Sequence, residues 1–247
     1  MAGRMMVLTL AVLAAIPAGA DGVRTIATAT LDTWFDGSFR VRLEDVLLVR
    51  AGPTLTVEAR VSREDVPGWH GYQVSLGPVV NITEYLYLDA VYGLGIDSDG
   101  SFTHEIDVSL TRETASTAIS LGVKADWFPS TGYFYALPSL GGTFHPVPPL
   151  GLSGKLFVSV DRNGAVAGSF WGEVDWAFIP SIAVRAGCTL GNADEFAWSL
   201  IVGVNVVVSQ AVMLKYTFKY LADSLDALPG SPVRRGIENG LVLDVRL

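Results

Sequence analysis

The sequence predicts an all-β fold: an antiparallel up-and-down transmembrane β-barrel of about fourteen strands, with twelve as the alternative count. Apolar and polar residues alternate with period 2 through most of the chain, which is the pattern of strands with unlike faces. Of the 247 residues, 50% are apolar and 17% are charged, a lower charge content than most soluble domains carry. Each alternating run has roughly 10–13 residues, the length a tilted strand needs to cross the hydrocarbon layer.

The hairpin of residues 81–111 shows this pattern most fully. After the polar turn 81–84, apolar residues alternate from Leu86 to Ile96, and the turn 97–100 reverses the chain. On the return run, Phe102 and Ile106 share the apolar face, while the other face is polar. We expect the same unit to repeat along the chain. The runs are predicted at residues 27–35, 39–47, 54–62, 72–77, 85–96, 102–111, 119–127, 133–144, 152–161, 170–178, 182–190, 196–208, 212–220 and 237–247. The phase of run 133–144, which is aromatic and contains Pro138, is left open.

The connections between runs fall into two alternating sets. One set is rich in Asp and Gly and includes the longest loop, which is typical of extracellular loops; the other is predicted to be periplasmic. The first set comprises residues 36–37, 63–68, 97–100, 129–132, 161–164, 191–195 and 222–236, and the second comprises 52–53, 81–84, 111–115, 145–149, 179–181 and 209–210. An acidic outer rim is then expected at Asp36, Glu64, Asp65, Asp97, Asp99, Asp194, Glu195, Asp223 and Asp226.

Aromatic residues concentrate toward the ends of the runs. Amphipathic rings prefer the headgroup level of a bilayer, so two aromatic girdles are expected. The residues concerned are Trp34, Phe35, Trp69, Trp127, Phe128, Tyr133, Phe144, Trp176, Phe178, Phe196, Trp198 and Tyr220.

Residues 1–20 are predicted to be a secretory signal peptide, and residues 21–247 the barrel domain. Arg4 precedes the apolar stretch 5–16, and Ala18-Gly19-Ala20 provides a small-x-small cleavage site. A retained anchor helix is the alternative. Cys188 stands alone and in an apolar phase, which argues against a disulfide scaffold. The formal net charge of −8 argues against nucleic-acid binding.

Two closed arrangements use a sheet with one apolar face. A barrel with its apolar residues outward and a polar lumen is suited to a lipid bilayer. A sheet with its apolar residues inward gives a water-soluble barrel or sandwich. The export sequence favours the first arrangement. About fourteen strands with the apolar face inward would also enclose more space than side chains fill. Leu55, Val57, Ala59 and Val61 are therefore predicted to contact lipid, and a soluble exported β-protein is the alternative.

The mature chain resembles bacterial outer-membrane β-barrel proteins. The stretch Asn81-Ile82-Thr83-Glu84-Tyr85-Leu86-Tyr87-Leu88-Asp89-Ala90 looks like their periplasmic turn leading into an upward strand. The strand order and short loops are most similar to the YaiO-like group. The resemblance implies an outer-membrane location, surrounding lipids, and contact with the barrel-assembly machinery during insertion. Such barrels usually end in Phe or Trp, whereas this chain ends in Leu247.

The polar face carries charges of both signs in near balance. A water-filled channel would use them to set ion preference, and a structural or assembly-associated barrel would pair them to fill its bore. The channel for ions or small solutes is the favoured interpretation. The lumen-facing charged residues are predicted to be Arg40, Arg42, Glu44, Glu58, Arg60, Asp89, Glu105, Asp107, Lys124, Asp126, Lys155, Glu173, Asp175, Arg185, Lys215, Lys219, Asp244 and Arg246. The loop 222–236 is a candidate lid, and the oligomeric state is left open.

No catalytic, metal or cofactor site is predicted. His70, His104 and His145 fall on separate runs, and a nucleophile–base pair needs hydrogen-bond reach. His104 and Glu105 are adjacent on a strand and point apart. A lipid-modifying enzyme using His70, near the lipid–water boundary, is the remaining alternative.

Overall fold

The computed structural model describes residues 22–164, 166–191, 198–224 and 233–246. The predicted signal peptide and most of the loop 222–236 lie outside these residues. Fourteen strands make up the fold. Their bounds are β1 Val23–Trp34, β2 Phe39–Arg50, β3 Leu55–Val66, β4 Trp69–Thr83, β5 Leu86–Asp97, β6 Phe102–Glu113, β7 Thr117–Phe128, β8 Tyr133–Val147, β9 Leu150–Asp161, β10 Val166–Ile179, β11 Ile182–Gly191, β12 Trp198–Val207, β13 Val212–Ser224 and β14 Val233–Arg246.

These strands form a closed antiparallel barrel. Each pairs with its neighbours in sequence, and β14 pairs with β1 from Arg24↔Arg246 to Trp34↔Gly236. The predicted all-β barrel of about fourteen strands is confirmed. With strands spaced about 4.8 Å apart and tilted by about 40°, the ring of backbones is roughly 28 Å across.

In the part of the chain that is described, no helix is long and apolar enough to cross a membrane.

The apolar phase of the strands faces outward. Leu76 and Leu121 are 60% and 58% exposed, while Glu58 in the opposite phase is only 6% exposed. A soluble protein buries its apolar side chains and exposes its charged ones, so this distribution is the inverse of a soluble protein's. A continuous apolar outer surface is what lipid requires of a spanning barrel. The alternative of a soluble β-protein with a dry apolar interior is therefore wrong.

Several connections are shorter than predicted because the strands run further. The expected loop 63–68 belongs mostly to β3, and the expected turns 81–84, 111–115 and 145–149 lose residues to β4, β6 and β8. Register shifts lie between Asn81 and Thr83, Phe144 and Val147, and Ala177 and Ile179. All three occur where strands approach the predicted periplasmic turns. Polar residues at 63–65, at 81 and 83, and at 111–113 obscure the alternation that marks a strand in the sequence.

The structure assigns the phase of β8. Phe134, Leu140 and Phe144 are exposed on the outer surface, so Tyr135, Leu137 and Ser139 point into the lumen. Pro138 lies in the outward phase as the partner of Val123. The sequence alone does not determine which face of this strand is apolar, because both of its phases contain apolar residues.

Four aromatic residues expected in the girdles belong to the interior instead. One is Tyr133, whose ring centre lies 5.9 Å from that of Phe128. Trp34 is buried against Leu221, and Trp69 and Phe128 line a cavity inside the barrel. Others expected there are exposed on the outer surface near strand ends, including Phe35, Trp127, Phe144, Trp176 and Phe178. Phe196 lies outside the described residues.

Changing Leu121 to Arg tests the lipid contact of this face. Leu121 lies near the middle of β7, between the exposed Leu110 of β6 and Leu140 of β8. An arginine at the bilayer midplane should lower the free energy of unfolding by about 2–4 kcal/mol, and one near the interface by less than about 1 kcal/mol. Val166→Arg is the matched control, because Val166 is 69% exposed but begins β10 at a strand end. Urea unfolding in lipid vesicles measures both, and equal effects would contradict the predicted membrane depth.

Candidate functional site

The lumen is the candidate site. Because strand residues alternate between faces, the inward phase of the barrel carries every charged residue singled out from the sequence. The same phase also carries charged residues that the sequence analysis did not place in the lumen. They include Arg24, Asp32, Glu64, Asp97 and Glu238.

A group of ion pairs crosses the seam where β14 meets β1. Arg40 Nε lies 2.6 Å from a carboxylate oxygen of Asp32, and Arg42 Nη2 lies 2.6 Å from Glu238. Lys219 Nζ contacts the other oxygen of Glu238 at 2.7 Å. We call Asp32, Arg40, Arg42, Lys219 and Glu238 the seam network. Since these residues come from β13, β14, β1 and β2, the network ties both chain ends into the closed sheet.

A second ion pair joins the chain ends near the opposite end of the barrel. Arg24 Nε donates to one oxygen of Asp244 at 2.9 Å, and its Nη2 donates to the other at 2.6 Å. Two parallel hydrogen bonds of this kind fix the geometry of an arginine–carboxylate pair. The side chain of Asp244 is almost fully buried.

The remaining lumen pairs lie between strands in both halves of the barrel. Arg60 pairs with Glu58 on its own strand and lies 3.8 Å from Asp107. Lys124 Nζ lies 2.6 Å from Glu105. In the other half, Arg185 lies 3.3 Å from Glu173 and 4.0 Å from Asp175.

Charges that make no ion pair are separated across the lumen. Among the described lumen residues predicted from the sequence, Glu44, Asp89 and Asp126 make no such pair and lie on β2, β5 and β7. Lys155, Lys215 and Arg246 make none either and lie on β9, β13 and β14. Strands β2 and β9 stand opposite each other in the fourteen-strand ring. The unpaired acids therefore lie on the β2–β7 side of the ring and the unpaired bases on the β9–β14 side.

The lumen contains open space. A cavity of about 370 Å³ is lined by residues that include Glu64, Gln73, Thr103, Lys124 and Phe128. A second cavity of about 220 Å³ lies against Arg42, Glu44 and Arg60. Both cavities are on the β2–β7 side, which is the more heavily charged wall.

The other wall is partly apolar, which the sequence analysis did not recognise as a property of the site. Its strands place large apolar side chains in the inward phase, between serines and lysines. The residues are Leu137, Phe157, Trp171, Ile201 and Leu221. The sequence does contain a signal of this apolar wall, because Phe157 and Trp171 occupy positions where the alternation predicts a polar residue.

The three histidines remain apart. The His104 ring hydrogen-bonds through Nδ1 to the Tyr92 hydroxyl at 2.6 Å and stacks on Trp127 on the outer surface. The His70 ring meets Tyr72 edge-on, and His145 lies near Gly151 at the predicted periplasmic end. No group of three or more His, Cys, Asp or Glu side chains suited to a metal ion occurs among residues 22–246 where these are described.

Only some of the residues expected to form an acidic outer rim lie in exposed turns. Glu64 and Asp97 line the larger cavity, and Asp65 pairs with Arg63 on the outer face of β3. Asp99 lies in an exposed turn, where the backbone N–H of Ser101 donates to its carboxylate and lowers its pKa. Asp194, Glu195 and Asp226 lie outside the described residues, as does the side chain of Asp223.

Changing Asp32 to Asn tests the contribution of the seam network to stability. Asp32 is fully buried, and its carboxylate contacts both Arg40 and Arg42. Removing one partner from a buried ion pair costs roughly 3–5 kcal/mol, so we expect a loss of about 3 kcal/mol in unfolding free energy. Urea unfolding in vesicles measures it. Asp99→Asn, in an exposed turn, should change the same quantity by less than about 0.5 kcal/mol. Equal effects of the two substitutions would show that the network does not stabilise closure.

Comparison with known proteins finds likeness at the level of structure. No protein-family profile matches the chain, and no curated protein matches it either. Among solved structures, the chain is similar to the CymD monoaromatic hydrocarbon channel, with a TM-score of 0.63 and 10% identity over 92% of this chain and 89% of that one. It is also similar to the Ralstonia pickettii toluene transporter TbuX, with a TM-score of 0.63 and 9% identity over 92% and 90% of the chains.

A third similar structure is the Acinetobacter baumannii outer membrane protein Omp33, with a TM-score of 0.54 and 11% identity over 93% of this chain and all of that one. At such identities the likeness concerns the fold alone. The likeness extends over nearly the whole of each chain, so it describes the complete barrel and not a local hairpin. The chain has the fold of bacterial outer-membrane β-barrel proteins.

Proposed function

We propose that the protein is a small porin-like channel of the bacterial outer membrane that passes ions or small solutes. The observation that carries this proposal is the separation of charge across an incompletely filled lumen. Glu44 and Asp89 lie on the β2–β7 side of the ring, Lys155 and Lys215 lie on the β9–β14 side, and the cavities lie beside the acidic side. Such a wall exerts a field on a charged or dipolar solute.

The size of the ring supports a channel. Eight strands leave an interior that side chains just fill, whereas sixteen to eighteen leave an aqueous channel. A barrel of fourteen strands is closer in size to those that leave an aqueous channel. The seam network and the Arg185 pairs occupy part of the cross-section, which argues for a narrow path instead of a wide pore.

A structural barrel with a filled lumen is the second candidate, and the seam network favours it. Asp32 and Glu238 are almost completely buried, so this part of the bore is closed to water. Buried ion pairs of this kind are compatible with side chains that fill the bore, as well as with side chains that line an open channel. Conductance separates the two candidates.

The structural neighbours support transport over catalysis. Two of them are described as a monoaromatic hydrocarbon channel and a toluene transporter. Fold alone does not fix function, but the histidines of this chain lie apart and form no nucleophile–base pair among the described residues. We infer that the protein is not an enzyme, that the barrel-assembly machinery inserts it, and that it is related to the YaiO-like group, a proposal that its strand order and short loops support.

Planar-bilayer recording tests the channel. The refolded protein should give stable, discrete conductance steps in KCl, because ions can follow the charged wall past the cavities. A preparation treated identically, but from cells lacking the protein, is the control. Absence of discrete steps at high protein dose, with a gel band that still shifts on boiling as folded barrels do, would show a closed lumen.

Neutralising the basic wall should change ion preference. Removing a unit charge about 6 Å from a permeating ion changes the ion's energy by roughly 0.7 kcal/mol in water-like surroundings, or about threefold in relative permeability. Lys155→Gln with Lys215→Gln should therefore shift selectivity toward cations by at least roughly threefold. The reversal potential across a KCl gradient measures this shift. Arg112→Gln is the control, since Arg112 pairs with Leu86 and Ile119 in the outward phase. A reversal potential unchanged in the double variant would exclude Lys155 and Lys215 from the ion path.

A further inference from the structure

A lysine and two aromatic residues are neighbours on the lumen wall of β9 and β10. Lys155 Nζ lies 4.9 Å from the centre of the Phe157 ring, a cation–π contact. Trp171 is the cross-strand partner of Lys155 and shares its inward phase. We call Lys155, Phe157 and Trp171 the Phe157 shelf. Its residues are half-buried, so part of each side chain is exposed to the lumen.

Small residues flank this shelf on both sides. The cross-strand partners of Phe157 are Ser139 on β8 and Ser169 on β10. Lys155 is paired with Gly141, where an added Cβ would lie 3.2 Å from Lys155 Cγ. The glycine therefore leaves room for the lysine stem along the wall. Both cross-strand partners of Phe157 are therefore small, and neither covers its ring.

The charge of Lys155 is not balanced by a carboxylate. Most lumen bases are paired with an acid, including Arg24, Arg40, Lys124 and Lys219. Lys155 makes no ion pair in the described part of the chain. Lys215 makes none either, but it has no described ring contact. Lys155 is therefore the basic residue that combines an available charge with an aromatic surface.

We propose that the Phe157 shelf is a binding subsite for small aromatic carboxylates in the lumen. The ligand ring packs on Phe157 and Trp171, and its carboxylate lies against Lys155 Nζ. This subsite deepens the proposed channel function and rests on it. It names the solute class that the channel would favour.

The facing wall strengthens the assignment of an anion. Glu44 on β2 stands opposite β9 in the ring and makes no described ion pair. An anion entering the lumen is repelled by that wall and attracted to Lys155. The Phe157 ring then distinguishes an aromatic anion from a small aliphatic one, because stacked rings gain stability beyond their buried area.

Equilibrium binding to the full mature barrel in detergent tests the subsite, using sodium benzoate and sodium acetate as probes. Titration calorimetry should show benzoate binding at least roughly tenfold more tightly than acetate. Phe157→Leu should weaken benzoate binding roughly threefold to tenfold and leave acetate binding unchanged. Lys155→Gln should weaken both probes, and Phe157→Tyr, which keeps the ring, should retain the preference for benzoate.

Two matched controls isolate the shelf. Lys215→Gln removes a lumen lysine that has no described ring contact, and Phe170→Leu removes an exposed ring on the outer face of β10. Neither change should alter the ratio of benzoate to acetate affinity. A boiling-shift gel confirms that each variant is folded, and Lys155→Gln supplies the test if Phe157→Leu fails to fold.

The outcomes for the subsite and the channel are distinct. Equal affinity for benzoate and acetate, or a benzoate affinity that survives Phe157→Leu, overturns the subsite even when KCl conductance is normal. Benzoate binding that depends on Phe157 and Lys155 in a barrel without conductance supports the subsite and overturns the channel. Block of KCl current by benzoate at lower concentration than by acetate supports both.

Discussion

The pairing of β14 with β1 is the constraint on which the rest of the structure depends. A bilayer offers no water to unpaired backbone groups, so a sheet can cross it only when it has no free edge. The closing ladder runs from Arg24↔Arg246 to Trp34↔Gly236 and leaves neither end strand exposed. Closure also fixes, for every residue, whether its side chain meets lipid or lumen. The ion pairs Arg24–Asp244 and Arg42–Glu238 join residues that are 220 and 196 positions apart in the sequence. They can therefore form only once the two ends of the sheet have paired.

The lumen charges follow from this arrangement. Polar side chains excluded from lipid must share a confined interior, where an uncompensated charge is costly and a hydrogen-bonded pair is tolerated. Most lumen bases accordingly contact an acid on a neighbouring strand. The acids and lysines outside such pairs lie on opposite walls, as with Glu44 and Lys155. Keeping these opposite charges apart forgoes their mutual attraction, and the separation creates a field across the lumen.

Much of the fold could be predicted from the sequence, because the alternation of Leu76 with Ser75 or Leu121 with Ser120 is local information. The phase of β8 could not, since Leu137 and Leu140 are both apolar and face opposite ways. Strand ends were placed too early wherever a polar run continued the ladder, as at Arg63 and Glu64. The ion-pair partners needed the cross-strand register, which no local pattern contains. Arg24 precedes the predicted run 27–35, so the sequence does not place it in the lumen, whereas β1 begins at Val23.

The residues of most interest are large apolar side chains in the inward phase, where the alternation of the strands otherwise places polar residues. A water-facing lumen gives no hydrophobic gain for placing Phe157 and Trp171 in the polar phase, and an exposed ring there is less favourable than serine. Positions where a sequence departs from its own folding pattern are where function is expected. Phe157 lies between the small Ser139 and Ser169, and its ring contacts Lys155. An aromatic side chain packed in that way contributes little to closure of the sheet, and so its role is best sought in what passes through the lumen.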